Sequence, residues 1–163
     1  MMLASVALLA ANVAQLESVL AAGPVVPWGY YYSCEALYRG PCGAPVGLGV
    51  RFERDVVRGP LGGISQSLLL GVGVELYSYL GGGAQLAGAG AAYGVARWGA
   101  WVHPRVQLAA LASVGAIMTP SALFTAALHL DLAAAARVTV TPALFAQVEA
   151  GAMGARLFVG ARW

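Results

Sequence analysis

The chain has 163 residues, 60% of them hydrophobic and only 10% charged, with a mean hydropathy of +0.73. Soluble domains carry roughly a quarter charged residues, so this composition excludes an ordinary soluble domain and points to lipid, while the length fits one domain. A net charge of +2 with dispersed arginines excludes a nucleic-acid-binding surface.

Backbone polar groups in hydrocarbon must be paired internally, which leaves helix bundles and closed barrels. A helical span needs about 20 mostly apolar residues. Stretches such as 64–80 and 106–130 approach that length, but Glu75, Arg97, His129 with Asp131, and Glu149 interrupt the candidate spans, and ionisable groups inside membrane helices are rare. The period of the apolar residues therefore decides.

At the N-terminus, "MMLASVALLAANVA" resembles the apolar core of a secretory signal with small residues near Ala14, although the basic n-region is absent. The alternative is a retained helix through Leu20. Either reading sets residues 1–22 apart from a domain spanning 23–163.

From Pro45 onward the sequence breaks into seven alternating segments. Successive strand residues point to opposite faces. The first sets Val46, Leu48, Val50 and Phe52 against Gly47, Gly49, Arg51 and Glu53. The second sets Leu68, Leu70, Val72, Val74 and Leu76 against Gly71, Gly73, Glu75 and Tyr77. In the third, blurred by alanine, Ala87, Ala89, Ala91, Tyr93 and Val95 oppose Gly88, Gly90, Ala92 and Gly94. The fourth sets Val106, Leu108, Ala110, Ala112 and Val114 against Gln107, Ala109, Leu111, Ser113 and Gly115. The fifth sets Phe124, Ala126, Leu128, Leu130 and Leu132 against Thr125, Ala127, His129 and Asp131. The sixth spans 138–149, with Val138, Val140, Pro142, Leu144, Ala146 and Val148 on the apolar face and Gln147 and Glu149 on the other; Pro142 there implies a bulge. The seventh is "ARLFVGARW", with Leu157, Val159, Ala161 and Trp163 against Arg156, Phe158, Gly160 and Arg162.

The charges test these phases. Arg51, Glu53, Glu75, Asp131, Glu149, Arg156 and Arg162 all fall opposite the apolar set, and Arg97 alone departs. Arg97 stands beside Trp98 and Trp101, where a long side chain can snorkel to an interface lined by aromatics. The intervals between segments, among them "GGG", "HPR", "TPS" and "AAAAR", are short and turn-rich, as in consecutive hairpins. Alternating segments of about ten residues in a meander are the pattern of an outer-membrane barrel.

The ending, an alternating apolar run closed by Trp163, resembles the C-terminal strand of bacterial outer-membrane barrels. Over Pro45–Trp163 the chain is similar to the OmpA/OmpX-like pattern of small bacterial outer-membrane β-barrel proteins. That resemblance implies an all-β, antiparallel, up-and-down transmembrane barrel in the outer membrane, with a periplasmic C-terminus and a last strand read by the barrel assembly machinery. Single-chain barrels have even strand numbers with eight the smallest, so a strand is expected before Pro45, and Val25–Ser33 is the extended candidate. The loop after it carries Cys34 and Cys42, whose spacing in an exported protein points to a disulfide. No third ligand stands nearby to make a metal site.

The inward set of Arg51, Glu53, Glu75, His129, Asp131, Glu149, Arg156 and Arg162 is expected to form a mutually neutralising charge network, because an eight-stranded lumen is just wide enough to be filled by side chains. Trp98, Trp101 and Trp163 are expected at the interface. Inward glycines make room for bulky neighbours. His129 with Asp131 hints at catalysis of the kind found in lipid-modifying barrels, but no serine stands at a recognisable spacing, and a periplasmic C-terminus places His129 in the periplasmic half. The resulting expectation is a non-enzymatic barrel without cofactor, acting as a membrane anchor or interaction surface. A narrow passive pore for ions or very small solutes is the alternative, and a lipid-modifying enzyme comes third. Beyond the bilayer and the assembly machinery, no partner is implied.

Overall fold

The computed structural model describes residues 17–27, 44–80, 88–119 and 125–163. Eight strands close into one antiparallel barrel in which each pairs with its neighbours in sequence, and the first pairs with the last. They are β1 (Ser18–Val26), β2 (Ala44–Leu61), β3 (Ile64–Leu80), β4 (Gly88–His103), β5 (Val106–Thr119), β6 (Thr125–Thr139), β7 (Leu144–Gly151) and β8 (Ala155–Arg162). Reciprocal backbone bonds seal the seam, Ser18 N to Trp163 O at 2.9 Å and Trp163 N to Ser18 O at 3.1 Å. In register, Val19 leads through Glu53, Gly71, Val95 and Ser113 to Asp131, which lies beyond the last β7 partner of β6. Such drift is the stagger of inclined strands in a barrel.

The first strand differs from expectation. β1 is Ser18–Val26 rather than Val25–Ser33, so residues 18–22 belong to the barrel and the helix through Leu20 does not form at its end. Gly23 and Pro24 disguise the strand. A Cβ at Gly23 would collide with the Leu157 carbonyl, and Pro24 sits where the ladder to β8 is interrupted between Ala22 and Val25, a position that tolerates a missing N–H. Residues 1–16, Cys34 and Cys42 lie outside the described residues, and with them the expected signal segment and disulfide.

Two further phases are corrected. In β4 it is Ala89, Ala91, Tyr93, Val95 and Arg97 that are buried, so the face assigned outward points inward, and Arg97, with 0% exposure, belongs to the interior rather than to the interface. Alanine and glycine carry too little apolar contrast to set a phase, whereas Tyr93, Arg97 and exposed Trp98 do. The boundary between the fifth and sixth segments also moves. The "AAAAR" stretch is not a turn but the second half of β6, and Pro142 lies in the connection between β6 and β7 rather than in a bulged strand.

Outward positions carry large apolar groups and inward positions carry charge. Leu48, Val72, Leu76, Leu128 and Leu132 are exposed, while nine aspartate, glutamate and arginine residues among the described ones are buried. That inversion of the soluble pattern is a solvent statement: the exterior matches hydrocarbon.

One end of the barrel has short turns and the bonded Ser18 and Trp163 of the seam. The β2–β3 connection is Gly62–Gly63, with φ of 60° and 81°, the left-handed pair that a two-residue hairpin loop requires. Gly63→Val is expected to lower stability by about 1–2 kcal/mol, read as a lower thermal unfolding midpoint. Gly59→Val, which meets open space without a left-handed φ, is expected to leave the midpoint unchanged.

Candidate functional site: the barrel interior

The interior is built from charged and amide side chains that strand parity turns inward. All of the basic residues are arginine, since the sequence contains no lysine. Arginine suits a buried site because its planar fork can bridge several acceptors while staying charged.

Arg51 on β2 reaches across to Glu149 on β7 with a forked contact, Nη1 to Oε1 at 2.5 Å and Nη2 to Oε2 at 3.0 Å. The same guanidinium donates to the Tyr93 hydroxyl at 3.2 Å and lies 5.1 Å from the Phe158 ring centroid. Toward the short-turn end, Glu53 is shared by Arg97 at 2.8 Å and by Arg51 and Arg137 at 3.5 Å each. Arg97 also donates to Gln107, which donates to Ser67 at 3.0 Å. Arg137 donates to Gln147 at 2.7 Å and lies 4.0 Å over the Phe145 ring.

Toward the other end, Arg156 on β8 bridges Glu75 at 2.5 Å and Asp131 at 2.8 Å. Glu75 also accepts from the hydroxyls of Tyr77 and Tyr93. His129 is fully buried, its ring stacked on Tyr93 with centroids 4.8 Å apart, and its Nε2 lies 3.0 Å from Ser113 Oγ. Most of these contacts join strands that are not neighbours in the sheet, so they cross the bore.

Of the residues expected inside, Arg51, Glu53, Glu75, His129, Asp131, Glu149 and Arg156 are buried and interlinked. Arg162 is not among them. It caps the short-turn end, donating to the Pro142 carbonyl at 2.7 Å and lying 5.8 Å from the Trp101 ring. Trp101 is half-buried beneath it, while Trp98 and Trp163 are exposed at 52% and 66%.

His129 stands four residues from the start of β6, away from the β7 turn; the expected periplasmic placement followed from the misplaced end of that strand. The serine found wanting is Ser113, supplied by the neighbouring strand through the pairing of Gly115 with His129. No spacing within one segment could have shown it. Arg97 and Arg137 were missed because one was assigned to the wrong face and the other to a turn.

Small residues admit the large ones. A Cβ at Gly73 would lie 2.5 Å from the Tyr93 ring, and one at Gly49 would lie 3.2 Å from both Glu75 and Phe158. Among the described residues, no group of acidic, histidine and cysteine side chains has the geometry to hold a metal ion.

Outside the strands, Glu17 precedes β1 and is gripped by Arg58, Nη1 to Oε1 at 3.1 Å and Nη2 to Oε2 at 3.0 Å. Burial alone would raise the Glu17 pKa, but the hydrogen bond and charge of Arg58, with the charges of Arg162 and Arg137, outweigh it and hold the pKa below the ordinary value.

No family model and no curated protein matches this sequence. Among solved structures, the chain is similar to Ail, the attachment invasion locus protein of Yersinia pestis, crystallised in complex with the heparin analogue sucrose octasulfate, with a TM-score of 0.49, 14% identity, and coverage of 91% of this chain and 99% of that one.

Two outcomes test these ionic contacts. Removing one partner of a buried pair leaves an uncompensated charge and costs about 3–5 kcal/mol. Glu149→Gln is therefore expected to lower the unfolding midpoint sharply, while the double replacement Arg51→Met with Glu149→Leu restores most of the loss. For Glu17 the lowered pKa means stabilisation that is present above the ordinary carboxylate pKa and lost as pH falls through the folded-state value. The stability difference between wild type and Glu17→Gln is expected to be largest near neutral pH and to vanish in strong acid.

Proposed function

We propose that this chain is an integral barrel of a bacterial outer membrane whose filled interior makes it a membrane-embedded anchor or interaction surface rather than a channel. The observation that carries this reading is the joint placement of charge and apolar area. Among the described residues twenty-eight large hydrophobic side chains are exposed, which only hydrocarbon solvates well, and the bore is crossed by the Arg51–Glu149 fork. Among the described residues no helix is long and apolar enough to cross a membrane; in this reading the strands do the crossing.

Orientation follows from the connections. The loops at Gly62–Gly63, between His103 and Val106, and between Thr139 and Leu144 are short and share an end with Ser18 and Trp163. Short turns are periplasmic in outer-membrane barrels, so that end is assigned to the periplasm. On β8, Leu157 and Val159 face outward and lead to Trp163; this is the strand proposed to be read by the assembly machinery. Trp98 and Trp163 would then sit at the periplasmic interface, where amphipathic rings are favoured.

Planar-bilayer recording separates the plug from the narrow pore. The wild-type barrel is expected to be electrically silent, and Arg51→Ala combined with Arg156→Ala is expected to open a cation-preferring path by leaving Glu53, Glu75, Asp131 and Glu149 in excess. Stable unitary currents from the wild type would assign the chain to the conducting class instead.

A further inference from the structure

The walls of the barrel differ in height. β7 and β8 have eight residues each, whereas β3 has 17 and β6 has 15. The top of the low wall is a described, tightly tied turn. Gly151 N donates to Gly154 O at 2.9 Å, Ala152 N to Leu132 O at 3.1 Å and Met153 N to Asp131 Oδ1 at 3.0 Å. Pairing between β6 and β7 accordingly stops at Ala133 with Gly151, while β6 continues to Thr125 in register with β5.

Eight inclined residues span only about 20 Å along the barrel axis, less than the apolar band of about 25 Å that such barrels usually present. The taller wall beside it stays apolar as it rises, with Leu132, Leu130 and Leu128 exposed at 72%, 57% and 66%. A single flat bilayer cannot match both walls. Mismatch is met by tilting or by local thinning of lipid, and tilting is opposed by the tryptophans anchoring the opposite rim.

We propose that the β7–β8 wall is a lipid-facing surface that draws down the adjoining leaflet, so that the membrane is locally thin beside Ala150–Gly154. The occupant of the space above that turn is the lowered leaflet, its headgroups meeting the turn at the level of Leu132. This rests on the membrane-spanning reading above.

The test is thermal unfolding of the full chain in phosphatidylcholine vesicles whose acyl chains run from about ten to about eighteen carbons. The wild type is expected to be most stable in the shorter chains. A variant with two residues inserted in each of β7 and β8, preserving face parity, has a wall about 5 Å taller, and its optimum is expected to move to chains longer by about two to four carbons. An optimum that does not move, or a wild type most stable in the longest chains, overturns the proposal and assigns the space above the turn to other parts of the chain.

A second pair decides the matter if the insertion does not fold. Ala150→Arg near the top of the low wall is expected to change the midpoint by less than about 3 °C, because its charge reaches headgroups, whereas Ala112→Arg at the middle of β5 lowers it by about 10 °C or more. Equal losses overturn the proposal. Failure of the wild type to insert into any vesicle would instead refute the membrane-spanning reading itself.

Discussion

Glu53 is held by three guanidinium groups, those of Arg51, Arg97 and Arg137, and the barrel depends on carboxylates shared in this way. A charge removed from water is tolerable only when partners saturate it. With many inward positions committed to ions, most of the large aliphatic residues face outward, and the exterior of the barrel is apolar. The polarity of the two faces is therefore one decision rather than two. It also explains why the contacts cross the bore: Arg51 is flanked in register by Ala21 and Gly73 and Glu75 by Gly49 and Ala91, so a guanidinium on β2 finds its acid on β7 and one on β8 finds acids on β3 and β6.

Placing long ionic side chains across the bore is a packing problem as well as an electrostatic one. Tyr93 passes over Gly73, and Phe158 and Glu75 close on Gly49. Gly49 and Gly73 are thus clearances of the interior. Tyr93 links the two halves of the network, accepting from Arg51, donating to Glu75 and stacking on His129. Its hydroxyl and ring serve different neighbours, which an alternation of apolar and polar residues does not reveal.

Much of this was legible wherever side chains differ strongly in polarity. Leu48 to Glu53, Leu68 to Tyr77 and Leu157 to Arg162 have unambiguous faces, and seven of the eight strands announce themselves by alternation. Legibility fails where alanine and glycine dominate. In β4 the contrast between Ala89 and Gly90 is too small to choose a face, and in β6 the run from Ala133 to Ala136 imitates a connection. β1 fails for another reason: Gly23 and Pro24 are poor strand residues in general and suit only this seam, beside the Leu157 carbonyl and at a gap in the ladder. The hydrogen bond of Ser113 with His129 depends on register between strands, information that no single segment contains.

The strand order carries a consequence for how the barrel comes into being. Seven of its interfaces join strands adjacent in sequence, and one, β1 with β8, joins the two ends of the sheet. Local hairpins close at small entropic cost, while a contact between distant segments must await the ordering of everything between them. The Ser18–Trp163 seam is thus the last event rather than an early nucleus, and until it forms the sheet is an open ribbon with two unpaired edges and its ionic face unenclosed. Slowing the seam would lengthen the lifetime of that ribbon without changing the energy of the finished barrel.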